Sequence, residues 1–271
     1  SGALKRVDVE AALQARRARA DADARRTLRD LTRGDVLLAT RGERVGVVNA
    51  LLVYDHGEHS FARPGRVSAA VGVGGGGVID IEREVDFSGE THHKAVQILS
   101  GLLRERFAQE LPLCVTASLC FEQSYGPIDG DSASVAEVVA LCSALSGLPV
   151  RQGWAVTGSL NQKAEVQPVG AVNEKIEGYF DVCVAQGLTG EQGVILPQAN
   201  ARDLMLRPDV IEAVRARRFQ VVAVSELDAA LELMLGTQRA EVRARVEATL
   251  RGYAEAWRDF RGGGHEVGAQ G

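Results

Sequence analysis

The sequence is poor in several residue types and patterns that mark particular protein classes. Its 271 residues include only five histidines and four cysteines (Cys114, Cys120, Cys142 and Cys183), with no Cys-x-x-Cys pair. This scarcity argues against a zinc site, so no metal is expected, and it predicts free thiols in the reducing cytoplasm. No apolar run approaches the roughly 20 residues of a membrane-spanning helix, so no membrane partner is expected.

The net charge and the lack of a nucleotide-binding motif exclude two further functions. Acidic residues outnumber basic residues by 36 to 31, and a net charge of −5 argues against general nucleic-acid binding. The four glycines at 74–77 are not followed by Lys-Ser or Lys-Thr, and G-x-x-x-x-G-K-[ST] occurs nowhere. We therefore predict a turn between strands at 74–77 and no ATP hydrolysis by this chain itself.

The spacing of apolar residues predicts one helix, then strands, then alternating helices and strands. Residues 8–32, rich in Ala, Arg and Leu, predict an N-terminal helix. Strands are predicted at 36–38, 44–53, 66–73, 78–85, 113–121, 154–160, 194–196 and 221–224. Further helices are predicted at 91–109, 131–145, 172–186, 208–217, 226–235 and 239–260. This order favours an α+β fold with mixed sheets and flanking helices.

One serine lies in a turn between a predicted strand and a predicted helix. Ser134 and Glu137 have the S-x-x-E spacing of a capping box, which places Ser132 in the turn before the helix. Free N–H groups and the positive end of the helix dipole near that hydroxyl could stabilise the oxyanion of an acyl-transfer reaction. A serine that only caps the helix is the simpler interpretation, because serine is common at helix starts.

A serine nucleophile requires a base that accepts its proton. The histidines are poorly placed for this role: His56 and His59 lie in a loop-like segment, and His265 lies near the C-terminus. His92 and His93 open a predicted helix, where a surface position is favoured over the alternative that one of them is buried near a site. A Ser-His-Asp triad is therefore not excluded but has no support in the sequence.

Lysine is the alternative base if burial lowers its pKa. Lys175 shares a helical stripe with Tyr179 and Cys183 at i+4 and i+8, beside further apolar residues. Burial on that stripe disfavours the charged ammonium. A lysine that extends its ammonium to water is the competing interpretation, and helix spacing alone does not decide between them.

Three motifs, in this order along the chain, resemble the proteolytic domain of Lon proteases. They are G-P-I-D-G-D-S-A-S at Gly126–Ser134, T-G-S at Thr157–Ser159 and P-V-G-A-V-N-E-K at Pro168–Lys175. Ser132 and Lys175 are 43 residues apart. The resemblance implies that they form the Ser–Lys dyad of this family and that Thr157 contacts the lysine.

Two further segments are most similar to the LonB-like branch of this family. They are S-G-x-x-H at Ser88–His92 and F-E-Q-S-Y at Phe121–Tyr125. The commonest Lon motifs have Pro, Gly and Gly where this sequence has Asp131, Ser134 and Ala171. The first two replacements are usual in the LonB-like branch.

The resemblance also implies a fold and an activity. The fold would be the α+β Lon proteolytic domain, which is similar to domain 2 of ribosomal protein S5. The activity would be that of a serine endopeptidase (peptidase family S16) that cleaves unfolded or damaged proteins within a homo-hexameric ring. Cleavage itself would need no cofactor, and ATP would act only through an AAA+ ATPase module upstream.

The same resemblance implies a division of the chain. Residues 1–33 would be a linker helix toward the ATPase module, 34–236 the proteolytic domain, 237–261 a C-terminal helix and 262–271 a disordered tail. Because the chain begins with Ser1 rather than Met, we expect it to be part of a longer protein.

Supporting roles follow for residues beside the dyad. Thr157 would hold the lysine amine, and the N–H groups of Ser132 and Asp131 would form an oxyanion hole. Asp129 would either hydrogen-bond Lys175 or cap the turn. An unfolded substrate would add as a strand along the segment formed by Phe121, Glu122, Gln123, Ser124 and Tyr125.

Two other functions remain open at this point. The chain could be a catalytically inactive Lon-fold scaffold for oligomerisation, although a scaffold has no need for a lysine on an apolar stripe. It could also be a thiol hydrolase that uses Cys120 or Cys142. Both thiols lie inside predicted elements without a histidine nearby in sequence, so a structural role is favoured for them.

Overall fold

The computed structural model describes residues 4–9, 11–12, 15, 22–55 and 60–262. Its helices are α1 Ala22–Arg33, α2 Ile81–Glu84, α3 Glu90–Phe107, α4 Ser134–Ser146, α5 Val172–Gln186, α6 Pro208–Arg215, α7 Leu227–Leu235 and α8 Arg239–Gly262, with a 3₁₀ helix at Gln198–Asp203. Its strands are β1 Glu43–Arg44, β2 Val47–Asp55, β3 Ser60–Val73, β4 Gly77–Asp80, β5 Val115–Glu122, β6 Val150–Arg151, β7 Trp154–Val156, β8 Ser159–Leu160, β9 Val166–Gln167, β10 Gly193–Pro197 and β11 Gln220–Val224. The predictions for His56, His59, His265 and a disordered tail fall outside the described residues, apart from Gly262, which is helical.

A mixed seven-stranded sheet forms the centre of the fold, in the order β11-β10-β7-β2-β3-β5-β4. Strands β11, β10, β7 and β2 are mutually parallel, because the chain returns through α5 between β7 and β10 and through α6 between β10 and β11. Strand β3 is antiparallel to both β2 and β5, and β4 is parallel to β5. The predicted α+β fold with mixed sheets is confirmed.

Helices cover both faces of the sheet, and each face has its own apolar core. Side chains alternate along β10: Ile195 packs with α4, α7 and α8 on one face, whereas Val194 and Leu196 pack with α5 and α6 on the other. This alternation follows from the two-residue period of a strand. Helices α4 and α5 therefore lie on opposite faces of the sheet.

Most predicted elements are present, and helix α5 has the predicted bounds. The predicted strand at 36–38 is wrong: this segment makes no strand ladder, and the side-chain amide of Gln123 bonds the Leu37 N–H (2.6 Å) and the Asp35 carbonyl (3.0 Å) instead. The predicted strand at 78–85 ends at Asp80, because the chain then turns into α2.

The remaining predictions concern the termini and the glycine turn. The N-terminal helix is confirmed over α1, and residues 6–9, 11–12 and 15 are also helical. Residues 74–76 link β3 to β4, which confirms a turn there, although Gly77 is already the first residue of β4. Within the described part of the chain, no helix combines the length and the apolar character needed to cross a membrane.

Candidate active site

The three motifs of the sequence meet where β7 ends. Thr157 follows β7 directly, and its N–H donates to the carbonyl of Ile195 on the parallel neighbour β10 (3.0 Å). Ser132 lies two residues before α4, on one face of the sheet, and Lys175 lies in the first turn of α5, on the other face. The carboxyl ends of parallel strands are common positions for binding sites in such sheets.

Lys175 is buried, with 2% of its surface exposed. Desolvation lowers its pKa from 10.5 to about 8, although the negative charge of Asp131 opposes this shift. The positive end of the α5 dipole also disfavours an ammonium in the first turn of a helix. The apolar stripe is confirmed, because Tyr179 and Cys183 are fully buried below the lysine, and the competing interpretation of an ammonium in water is wrong.

The hydroxyl of Thr157 links the lysine to the serine. The Lys175 Nζ atom donates to Thr157 Oγ1 at 3.0 Å, and Thr157 Oγ1 donates to the carbonyl oxygen of Ser132 at 3.1 Å. One buried hydroxyl therefore holds the amine of Lys175 and the backbone of Ser132 at the same point, as the resemblance implied for Thr157.

Backbone hydrogen bonds fix the turn that carries Ser132 against the T-G-S motif. The Ser132 carbonyl accepts the Gly158 N–H (2.8 Å), and the Gly158 carbonyl accepts the Val135 N–H (3.1 Å). A Cβ on Gly158 would lie 2.8 Å from a methyl group of Val135 and 3.0 Å from one of Val166, so only glycine fits. The glycine of the motif therefore allows the close contact that positions the serine.

Asp131 contacts both the T-G-S motif and the turn that carries Ser132. Its carboxylate accepts the Ser159 hydroxyl at 2.7 Å, and its carbonyl accepts the N–H and the hydroxyl of Ser134 at 3.1 and 2.7 Å. The T-G-S motif therefore contributes both of its hydroxyl groups: Thr157 contacts the lysine, and Ser159 orients the acid that acts on the charge of the lysine.

The predicted capping box at the start of α4 is wrong. Ala133 is the N-cap residue, and the Ser134 hydroxyl donates backward to Asp131 instead of accepting a helix N–H. Glu137 is buried with 1% exposure, so its carboxylate does not reach back to the cap. Ser132 nevertheless lies in the turn before the helix, as predicted.

Asp129 caps a different helix. Its carboxylate accepts the N–H groups of Thr91 (3.1 Å) and His92 (3.2 Å) at the start of α3, and that of Gly130 (2.8 Å). These backbone bonds lower the pKa of Asp129. The capping alternative is therefore supported over a hydrogen bond to Lys175.

The Asp129 cap accounts for the glycine in the Ser88-Gly89 pair that precedes α3. A Cβ at this position would lie 2.6 Å from the Cβ of Asp129, so a larger residue would displace the capping carboxylate.

The predicted substrate strand is narrower than residues 121–125. The Phe121 N–H donates to Glu82 Oε1 (2.8 Å) and its carbonyl accepts the Ser124 N–H (3.2 Å), so Phe121 offers no free backbone group to an added strand. Glu122 pairs with Arg66 of β3. Gln123 has a left-handed turn conformation (φ 54°), and the Ser124 N–H is already engaged by Phe121. Addition of a substrate strand remains a prediction, and its free backbone groups would come from the Ser124 carbonyl and the exposed Tyr125.

The thiols have properties that disfavour a nucleophilic role. Burial raises the pKa of Cys120 to about 11 and that of Cys142 to about 12, so both remain protonated near neutral pH. This is the opposite of what a thiol nucleophile needs.

The prediction of a surface position for His92 is wrong. This histidine is 1% exposed and lies beside the buried carboxylates of Asp80, Glu82 and Glu137. Motif spacing did not reveal the cluster, because its members come from three separate segments. The available signal was Glu137, the only acidic residue in the apolar helix α4.

Comparison with known proteins agrees with the motifs. The family model described as Lon protease (S16) C-terminal proteolytic domain matches residues 121–237. A Lon protease homolog of Escherichia coli K12 is 44% identical over 214 residues, which cover 78% of this chain and 36% of the relative. A Lon protease homolog of Haemophilus influenzae is 38% identical over 277 residues, which cover 96% of this chain and 46% of the relative.

An archaeal relative is also similar. The archaeal Lon protease of Thermococcus kodakarensis is 32% identical over 170 residues, which cover 62% of this chain and 25% of the relative. The chain thus spans less than half the length of these relatives. The family model and the relatives together show that this chain carries a proteolytic domain of the Lon protease family.

Proposed function

We propose that the chain is a serine endopeptidase in which Ser132 is the nucleophile and Lys175 the general base. The observation that carries this proposal is the buried Lys175 amine, which is hydrogen-bonded to Thr157, whose hydroxyl bonds the Ser132 carbonyl. A lysine needs a lowered pKa to act as a base near neutral pH, and burial supplies it.

The proposed reaction passes through an acyl-enzyme. Neutral Lys175 accepts the proton of the Ser132 hydroxyl while the oxygen attacks the peptide carbonyl carbon. Lys175 then donates this proton to the leaving amine, and the peptide C–N bond breaks. Water, deprotonated by the same amine, attacks the ester and releases the acid, and the proton returns to Ser132.

The turn before α4 would stabilise the tetrahedral intermediates. Within the described residues, the N–H groups of Asp131 and Ser132 have no hydrogen-bond acceptor, and they lie at the positive end of the α4 dipole. Free donors at a helix start are suited to the negative oxygen of the intermediate.

The substrate would be an unfolded segment of a protein, bound mainly through its backbone. The Ser124 carbonyl and the backbone of Tyr125 would provide the strand edge, and the 84% exposed Tyr125 side chain would offer an apolar surface beside it. Backbone recognition tolerates many sequences, which suits the removal of unfolded or damaged proteins.

We also propose a cytoplasmic homo-hexamer that works with an AAA+ ATPase module of the parent protein. The family and the greater length of the relatives support this assembly. The four cysteines are free thiols, which suits a reducing compartment. Light scattering tests the assembly: we expect a mass near six chains, and a strict monomer at micromolar concentration would contradict the ring.

The activity is tested by cleavage of an unstructured protein and a fluorogenic peptide. We expect Ser132→Ala and Lys175→Ala to abolish cleavage while circular dichroism shows an unchanged fold. Ser225→Ala, at an exposed serine outside the site, is a matched serine control and should keep full cleavage. Near wild-type cleavage by either dyad variant would contradict the mechanism, and an inactive wild type in the fully assembled protein would favour the scaffold function.

A further inference from the structure

Four buried ionisable side chains meet behind the turn that carries Ser132. They are Asp80 at the end of β4, Glu82 in α2, His92 in the first turn of α3 and Glu137 in the first turn of α4. Each is at least nine-tenths buried. None of the four takes part in the proposed proton transfer.

The polar atoms of this cluster are mostly without hydrogen-bond partners. Within the described residues, both oxygens of Asp80, both oxygens of Glu137, Glu82 Oε2 and His92 Nε2 are buried and have none. Only Glu82 Oε1 is engaged, by the N–H of Phe121. Buried polar atoms normally have partners, so this set calls for a group absent from the protein chain itself.

The distances are too long for hydrogen bonds but suit a shared cation. His92 Nε2 lies 3.6 Å from Asp80 Oδ1 and 3.8 Å from Glu137 Oε1, and ligand atoms of Asp80, Glu82 and His92 all lie within 4.8 Å of one another. Donors at about 2.1 Å from one ion are separated by about 3.0 Å when adjacent and about 4.2 Å when opposite.

The charges of the cluster also favour a cation. The charged groups that act on Glu137 are His92, Asp80 and Glu82, and they include no lysine or arginine in the described part of the chain. Even with a protonated imidazole, three buried carboxylates leave an excess of negative charge.

We propose that Asp80, Glu82 and His92 bind one divalent transition-metal ion. Two carboxylates with one imidazole favour Mn²⁺, Fe²⁺ or Zn²⁺ over Ca²⁺ or Mg²⁺, which prefer all-oxygen sites. The Glu137 carboxylate lies beside the imidazole and adds negative charge to the cluster. The expectation of no metal from the sequence considered only cysteine and histidine spacing, and this ligand set contains one histidine and no cysteine.

Such an ion would join the segments that support the active-site turn. It would link β4 and α2 to the first turn of α3, beside Glu137 in the first turn of α4. The starts of these two helices flank Ser132 through the Asp129 cap and the Ser134 turn. This effect on catalysis rests on the proposed function, whereas the binding of the ion does not.

The test uses the purified chain after removal of metals with EDTA, titrated with MnCl₂ by calorimetry. Mn²⁺ is the main probe because it has little affinity for thiols. We expect one ion per chain by mass spectrometry, weaker binding of MgCl₂, and a higher thermal unfolding temperature with Mn²⁺. Wild-type protein that binds no Mn²⁺ or Zn²⁺ would overturn the proposal and leave the cluster neutralised by shared protons alone.

Matched variants test the location of the ion. Glu82→Gln and His92→Gln should weaken Mn²⁺ binding at least tenfold, whereas Glu90→Gln and His93→Gln in α3 should leave it unchanged. Unchanged binding in both cluster variants would overturn the site. If a variant fails to fold, Asp80→Asn and the wild-type titration still test whether the cluster binds the ion. Ser132→Ala should keep full binding, which separates this site from the proposed peptidase activity.

Discussion

The Lys175 amine and the Thr157 hydroxyl are joined by a buried hydrogen bond of 3.0 Å. Because the hydroxyl gives its own proton to the Ser132 carbonyl, it acts as an acceptor toward the amine. An N–H of the amine is therefore fixed on Thr157, and the lone pair of the neutral amine is left for another proton donor. In the proposed mechanism, that donor is the Ser132 hydroxyl.

The first prediction concerns Thr157 as a positioning residue. Thr157→Val removes the hydroxyl but keeps the shape, so the amine loses its orientation, and kcat should fall on the order of 10- to 100-fold with little change in KM. Thr157→Ser should restore most of the activity. Steady-state kinetics with a fluorogenic peptide checks both variants, and equal losses in the two would point to a packing role instead.

The second prediction concerns pH. Lys175 accepts a proton only when neutral, so the rate should rise with pH through about 8, the pKa that burial gives this lysine. Asp131 opposes the shift, so Asp131→Asn should move the ascending limb to lower pH. The pH–rate profiles of both proteins are the measurement, with the exposed Asp259→Asn as the control. A limb that does not move would exclude electrostatic coupling between Asp131 and the base.

The third prediction is that replacing Lys175 by an apolar residue makes the fold more stable. The pKa of Lys175 is about 8 when folded and 10.5 as a free side chain, so the unfolded chain binds the extra proton between these values. The stability of the wild type therefore rises with pH across that range. Below pH 8, the folded protein carries the full free-energy cost of a charged, buried amine. Lys175→Met should stabilise the fold by up to about 3 kcal/mol at pH 7.

Urea unfolding at pH 7 and pH 10 measures this difference. The advantage of Lys175→Met should shrink strongly at pH 10, where the wild-type lysine is neutral in the folded state. An exposed control, Lys163→Met, should change stability little at either pH. A Lys175→Met protein less stable than wild type at pH 7 would contradict a costly burial of the amine.

The fourth prediction concerns Ala171, which replaces a frequent glycine of the lysine motif. It is the N-cap residue of α5 in the left-handed region, with φ 53° and ψ 39°. This conformation disfavours residues with a Cβ, so Ala171→Gly should raise the free energy of unfolding by about 1 kcal/mol. Chemical unfolding measures this change. The control Ala213→Gly in α6 should destabilise, and a loss of stability in Ala171→Gly would mean that Ala171 is not strained.

The sequence predicted the helix of Lys175 better than the turn of Ser132. Helix α5 has its predicted bounds because its apolar stripe is long and regular. The stripe left two positions open for the Lys175 ammonium, and the structure shows that it is buried. Before α4, Ser134 and Glu137 have the spacing of a capping box, but the Ser134 hydroxyl bonds backward to the Asp131 carbonyl, and the Glu137 carboxylate lies beside His92 of a distant segment.

Other features could not be predicted from local sequence, because they depend on contacts between distant segments. Asp129 caps a helix that begins some 40 residues earlier, and the strand predicted at 78–85 breaks so that Glu82 can reach the Phe121 N–H. The Thr157 bridge was predicted by the resemblance alone, since nothing in its local spacing reveals a contact with Lys175.

Ser132 and Lys175 are held on opposite faces of the central sheet and are linked through the Thr157 hydroxyl at the end of β7. A chain on which only one helical layer has docked therefore has either the hydroxyl or the amine in position, but not both. The capacity to cut peptide bonds would thus appear only when folding is complete. A newly made protease would be inert toward neighbouring nascent chains, including copies of itself, without a propeptide or an inhibitor.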